Sequence, residues 1–150
     1  MDYKIEKLKI NELKETLKLV TLVFDEFERP DYTEEGVQTF YKFANFDNIS
    51  KCLKENYEIY VAKIENKIVG MICVRDRQHI NLLFVDKQYH RKGIARNLIE
   101  KIKSICQTKV LTLNSSPYAI PFYHKIGFKD VSEMQEVDGI KFVSMKLQFE

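Results

Sequence analysis

Arg91 and Lys92 stand directly before Gly93, and an apolar-striped segment starts at once, in the stretch DKQYHRKGIARNLIEKIKS from Asp86 to Ser104. If that segment is a helix, its first amides have no partners within it and the positive end of its dipole faces the glycine. Gly93 carries no Cβ to hold a ligand away from the backbone, and Ala95 keeps the next position small. Two basic side chains add charge beside the amides. Together these parts make an anion site, most naturally for phosphates. A loop glycine beside two solvated basic side chains is the plain alternative on this stretch alone. Neither the P-loop pattern nor the GxGxxG fingerprint occurs, which disfavours a nucleoside triphosphate or a dinucleotide.

Other chemistry-bearing residues are sparse. The three cysteines, Cys52, Cys73 and Cys106, show no CxxC spacing and no Cys/His cluster, so no metal is expected. Cys73 lies in an apolar run and Cys106 near a helix end, and both read as reduced, buried, small hydrophobes.

The elements that must position the glycine follow from periodicity. YKIEKL alternates as a short strand. Asn11 is expected to cap a helix striped by Leu13, Leu17, Val20, Phe24 and Phe27, ended by Pro30. Thr33 opens a second helix with Val37, Phe40, Tyr41 and Ala44 on one face. YEIYVAK and KIVGMICVR read as strands joined at Glu65-Asn66. The second is apolar almost throughout, as is INLLFV from Ile80 to Val85, so both should be covered on both faces. The Gly93 helix follows, with Ile94, Leu98, Ile102 and Ile105 in a row. KVLTL is the next strand. Ser116 is expected to cap a helix with Pro117 first and Gly127 last, with Pro121 as a kink or a restart. FKDVSE and IKFVSMKL close the chain around a turn at Asp138-Gly139. The order is β-α-α-β-β-β-α-β-α-β-β. Strand, Gly93 helix and strand form a parallel βαβ unit, whereas the hairpins are antiparallel. The expectation is an α/β (α+β) fold: a mixed, mostly antiparallel central sheet with helices on both faces, in one domain over residues 1–150.

Composition narrows the class. Charged residues make up 31% and hydrophobic residues 45%, and the net charge is +2, which gives no reason to expect nucleic acid or a membrane surface as partner. Met1 precedes charged residues rather than a signal-like apolar run, and a cytoplasmic protein is expected. The apolar closing hairpin could serve as a dimer edge, so monomer and homodimer both stay open.

The run INLLFVDKQYHRKGIARNLI resembles the acetyl-CoA motif of the GCN5-related N-acetyltransferase (GNAT) superfamily. After an apolar strand, that motif has Gln or Arg, two residues, Gly, one residue, then Gly or Ala. Here His90 takes the first place, where the family usually has Gln or Arg, and Gly93 and Ala95 take the other two. LNSSPYAIPFYHKIGF is similar to the family's second block, whose core is Phe-Tyr, three residues, Gly-Phe. The two blocks stand in the family's order and spacing, and the family shares the element order given above.

The resemblance implies an N-acetyltransferase that moves the acetyl group of acetyl-CoA to a primary amine, small or peptidic, by direct attack in a ternary complex. In the family, the strand before the glycine loop splays from its parallel neighbour and holds the pantetheine arm. Here that strand edge is Leu83, Phe84 and Val85, with the Leu83 amide at the thioester carbonyl as an oxyanion donor. The amides of Arg91, Lys92, Gly93, Ile94, Ala95 and Arg96, with His90 before them, would take the pyrophosphate. Asn114 matches a position that contacts the cofactor arm. Tyr123 aligns with a tyrosine that gives a proton to the thiolate leaving group. His79 falls where several members carry a catalytic glutamate, so it is the candidate base. The acceptor is expected against the first two helices, where Glu26 and Glu28 suit a cationic amine. The alternative is a non-catalytic acyl-CoA-binding sensor or interaction module.

Overall fold

The structure is a computed structural model and describes residues 2–150. Strand β1 (Lys4–Lys7) leads through a 3₁₀ turn into α1 (Leu13–Val23), which runs on as a single π turn, Phe24–Glu28, and a 3₁₀ turn holding Pro30. Helices α2 (Glu34–Phe43) and α3 (Phe46–Leu53) follow, then β2 (Tyr57–Ile64), β3 (Lys67–Arg75) and β4 (His79–Val85). Helix α4 (Ile94–Ile105), β5 (Val110–Ser115) and α5 (Ile120–Lys125) come next, and β6 (Lys129–Asp130), β7 (Gln135–Val137) and β8 (Ile140–Gln148) close the chain. Among the described residues, eight strands form a sheet in the order β1-β2-β3-β4-β5-β8-β6, with β7 on β8. Every pairing is antiparallel except β4 with β5. The mixed, mostly antiparallel class is therefore as expected.

Local chemistry explains most elements. Glu65 and Asn66 both take positive φ, 49° and 70°, as a two-residue turn matched to strand twist requires. The Thr33 hydroxyl accepts from the Gly36 amide at 3.0 Å and starts α2. In β3, Met71 and Cys73 face one buried cluster while Ile72 and Val74 face the other, which is why the run is apolar throughout. Helices α1, α2 and α3 cover one face of the sheet, and α4 and α5 cover the other. Cys73 and Cys106 are buried and free, and burial pushes the Cys73 thiol up to about 12.

Several details differ from expectation. Asn11 does not cap α1. It lies inside the preceding 3₁₀ turn, where the Glu12 carboxylate accepts from the Lys9 amide at 2.9 Å. Of the two readings of Pro121 the restart holds: α5 starts at Ile120 after Ala119, not after Ser116, so the proline occupies the first turn, where a missing N–H costs nothing. Helix α3 is an addition to the expected order. Its cap is visible, since the Asn45 side chain accepts from the Asn48 amide at 2.9 Å, but eight residues give too short a stripe to read. The closing segment divides into three strands rather than two.

Candidate active site

The one parallel pair among the described residues is brief. β4 and β5 match only at His79–Thr112 and Ile80–Leu113, and beyond that the two strands separate. A bulge on the other side of β4 accompanies the divergence: Cys73 faces Leu82 and Val74 faces Ile80, so Asn81 is the extra residue. The Asp86 amide donates to the Val69 carbonyl at 2.8 Å. Backbone groups alternate sides along a strand, so the N–H and C=O of Leu83 and Val85 point away from β3, into the gap. The Val85 carbonyl is met there by His90, whose Nε2 lies 2.7 Å away.

Two cavities meet at this gap. A groove of about 1040 Å³ runs from Arg91, Gly93 and Arg96 past Leu83 and Val85 to Tyr123. A second cavity of about 430 Å³ continues behind it, between α2 and the β7–β8 hairpin. Glu28, Leu83, Phe84, Ala119 and Tyr123 line both. Their charges differ in kind. His90, Arg91, Arg96 and Lys125 line the groove with Glu28 as its one carboxylate among the described residues. The second cavity has the carboxylates of Glu28 and Asp138 and, among the described residues, no Lys, Arg or His. A third concavity of about 910 Å³, around Phe46, Tyr57 and Arg77, shares no residue with either.

The mouth of α4 is built from backbone. Arg91 and Gly93 have φ of 63° and 82°, left-handed values of the kind found in a backbone nest. The first helical bond at this end runs from the Asn97 amide to the Gly93 carbonyl, so the preceding amides have no partner within the helix. A Cβ on Gly93 would meet nothing within 4 Å, so the space above the nest is open. Ala95 and Ile94 line the groove, but the Lys92 side chain is exposed and does not. Phe27 lies 5.1 Å from the His90 ring and 5.3 Å from Tyr118, forming an aromatic wall.

The acidic segment separates in the structure. Glu26 is on the outside, paired with Lys87 at 3.0 Å, and lines neither cavity. Asp25 is held by the Tyr41 hydroxyl at 2.8 Å and by Arg29 at 3.1 Å. Only Glu28 reaches the junction, because the π turn inserts an extra residue into the last turn of α1 and rotates that side chain inward. Burial, with the charge of Asp31, raises its carboxyl to about 7. The Ser116 hydroxyl stands beside it and opposes that rise, yet its Oγ is buried without a well-formed hydrogen bond. Burial and the Glu28 charge hold the Tyr123 phenol above its ordinary range.

Two expected site residues lie elsewhere. His79 is at the start of β4, with Nδ1 2.8 Å from the Thr112 hydroxyl, and lines neither cavity. Four residues of strand put it about 13 Å from Leu83. Burial and Arg75 hold its imidazole below the usual range. Asn114 lines the second cavity rather than the groove, and its Oδ1 accepts from the Ser144 hydroxyl at 2.7 Å. Asn81, which the sequence did not single out, and Ser116, expected only as a helix cap, line the second cavity.

A sequence model of the acetyltransferase (GNAT) domain matches residues 28–149. An uncharacterized N-acetyltransferase of Escherichia coli K12, YafP, is 32% identical over 93 residues, 61% of this chain and 60% of that protein. An uncharacterized Bacillus subtilis protein, YxbD, is 31% identical over 72 residues, 43% of this chain and 45% of its own length. This chain thus spans less than two thirds of the length of either curated relative. A GCN5-related N-acetyltransferase of Rhodopseudomonas palustris superposes with a TM-score of 0.84 at 17% identity, over 99% of this chain and 97% of that one. PaiA N-acetyltransferase of Thermoplasma acidophilum, solved with coenzyme A, gives 0.81 at 18% identity over 99% and 100%. At these identities the structural likeness is one of fold. The domain match takes in β2 through β8, the diverging pair and both sequence blocks, and on that ground the chain belongs to the GNAT acetyltransferase family.

Proposed function

We propose that this chain transfers the acetyl group of acetyl-CoA to a primary amine by direct attack within a ternary complex. The observation that carries the reading is the separation of β4 from β5 after Ile80, which turns the Leu83 and Val85 backbone groups into a groove ending at Tyr123. A pantetheine arm offers amides that can pair with such an edge. The nest at Arg91 to Arg96 supplies amides and cationic side chains for the pyrophosphate.

In this reading the neutral amine nitrogen attacks the thioester carbon, the C–S bond breaks, Tyr123 gives its proton to the departing thiolate, and the proton that the newly acylated nitrogen sheds restores the Tyr123 phenol. Its raised phenol pKa keeps that proton in place until it is needed. The Leu83 amide stabilises the developing oxyanion. Glu28, rather than His79, takes the ammonium proton, since it borders both cavities. Most of the acceleration comes from holding the two substrates in line.

The test is thiol release from acetyl-CoA with a panel of primary amines. Turnover with at least one amine, falling about 10²-fold or more in Tyr123→Phe while coenzyme A still binds, supports the assignment. Coenzyme A binding with no turnover on any amine would replace the enzyme by an acyl-CoA-binding module.

A further inference from the structure

We infer that the cavity of about 430 Å³ behind Tyr123 receives a primary amine borne on a compact apolar, aromatic body, with its ammonium held by Glu28, Ser116 and Asn81. This rests on the groove being the acetyl-CoA site, and adds what the acceptor is.

Three side chains in this cavity present acceptor oxygens that the fold leaves under-satisfied. The Asn81 Oδ1 is buried with no hydrogen-bond partner, and the Ser116 Oγ is buried beside the Glu28 carboxylate with no well-formed bond. The Glu28 carboxylate has no ion-pair partner among the described residues. Buried polar atoms are almost always satisfied in folded proteins, so unpartnered ones in one cavity point to a ligand that supplies the donors. A primary ammonium carries three N–H donors and no acceptor. The β4 bulge is what turns the Asn81 amide into this space.

The walls select the rest of the molecule. Tyr32, Phe40, Phe43, Phe84 and Phe142 line the cavity beyond Glu28. Phe40 stands edge-on to Phe84 at 6.1 Å and to Tyr32 at 6.5 Å, an arrangement that accepts another flat ring. No cationic side chain is present among the described residues of the lining to meet a carboxylate on the acceptor, so acidic amines are repelled. Asp138, which is exposed, is the other carboxylate of the lining. A linear diamine spanning the two carboxylates would lay its chain along aromatic faces and is the competing occupant.

The experiment is calorimetric titration of the full chain, with and without saturating coenzyme A, using 2-phenylethylamine, 1,4-diaminobutane and 3-phenylpropionate as probes. The expected result is phenylethylamine binding at least about tenfold tighter than either other probe, with Asn81→Leu losing about tenfold of that affinity. Phe142→Leu should narrow the preference over the diamine. The coenzyme A isotherm of each variant reports whether it is folded, and Asn81→Ala replaces Asn81→Leu if that variant is not. Diaminobutane binding as tightly as phenylethylamine, or phenylpropionate doing so, overturns the inference while the cofactor reading stands. Absence of heat with coenzyme A in the wild type overturns the cofactor reading. The probes on the unliganded chain then decide the amine site separately.

Discussion

The carboxyl of Glu28 is placed where burial opposes its ionisation. Its pKa is about 7 in the folded chain, against about 4.3 for an unperturbed glutamate. Between those values the folded chain keeps a proton that the unfolded chain releases. Its contribution to stability is therefore full below about pH 4 and is lost as pH rises through about 7. Glu28→Gln should raise Tm at pH 8 by roughly 2–6 °C and by much less near pH 4.5, read by thermal melts at both. The same variant should lose activity. A proton acceptor works as the carboxylate, so wild-type kcat/KM for the amine should climb as pH passes through about 7, and Glu28→Gln should lack that limb. Asp31, Tyr32 and Tyr123 are the other titratable groups facing this carboxyl. A profile unchanged by the substitution would remove Glu28 from the proton path. The sequence showed a row of acids from Asp25 to Glu35 but not which one turns inward. That choice is made by the π turn, and the sequence carries no mark of it.

Two glycines govern how elements meet. Gly93 holds φ of 82° at the start of α4, and a Cβ there would touch nothing. The cost of Gly93→Ala is therefore backbone strain alone, about 1–2 kcal/mol, or several degrees of Tm, and coenzyme A should bind more weakly because the nest opens. Lys92→Ala, whose side chain points to solvent, should change Tm little. Gly36 is different in kind. Its Cβ would overlap the Gly139 carbonyl, where α2 packs against the β7–β8 hairpin and the Thr33 hydroxyl donates to that same carbonyl at 3.2 Å. Gly36→Ala must push the hairpin away, at about 1–3 kcal/mol. The hairpin walls the second cavity and not the groove, so this variant should raise KM for the amine while coenzyme A affinity holds. Equal losses for both substrates would count against that division.

Across the whole molecule, charge is divided between the two cavities. Cations border the long groove and carboxylates border the smaller one, an arrangement suited to a polyanion and an ammonium meeting at Tyr123. The groove is open and shares its walls with α1, β4, α4 and α5, so a ligand lying in it ties both faces of the sheet together. Acetyl-CoA at about 100 times its Kd should add about 2.7 kcal/mol to native stability, roughly 5–10 °C in Tm for a chain of this size. No shift at saturating ligand would contradict a preformed site. Among the described residues, no helix is long and apolar enough to cross a membrane and no cluster of three or more His, Cys, Asp or Glu could hold a metal.

What the sequence determined by itself was local. The Glu65-Asn66 turn, the Thr33 cap, the Ile94–Leu98–Ile102 stripe and the need for glycine at residue 93 all depend on neighbours a few positions away. Those are enough to give the class of the fold and the left-handed turn that opens α4. The tertiary structure decided which side chains share a cavity. His79 and Leu83 lie on one strand, yet only the later one stands where β5 has departed. Gly36 and Gly139 touch across more than a hundred residues of chain. Asn81 faces inward because of a register shift against β3, set by pairing with a strand before it. Side-chain direction at such points is fixed by long-range packing, and periodicity along the chain does not record it.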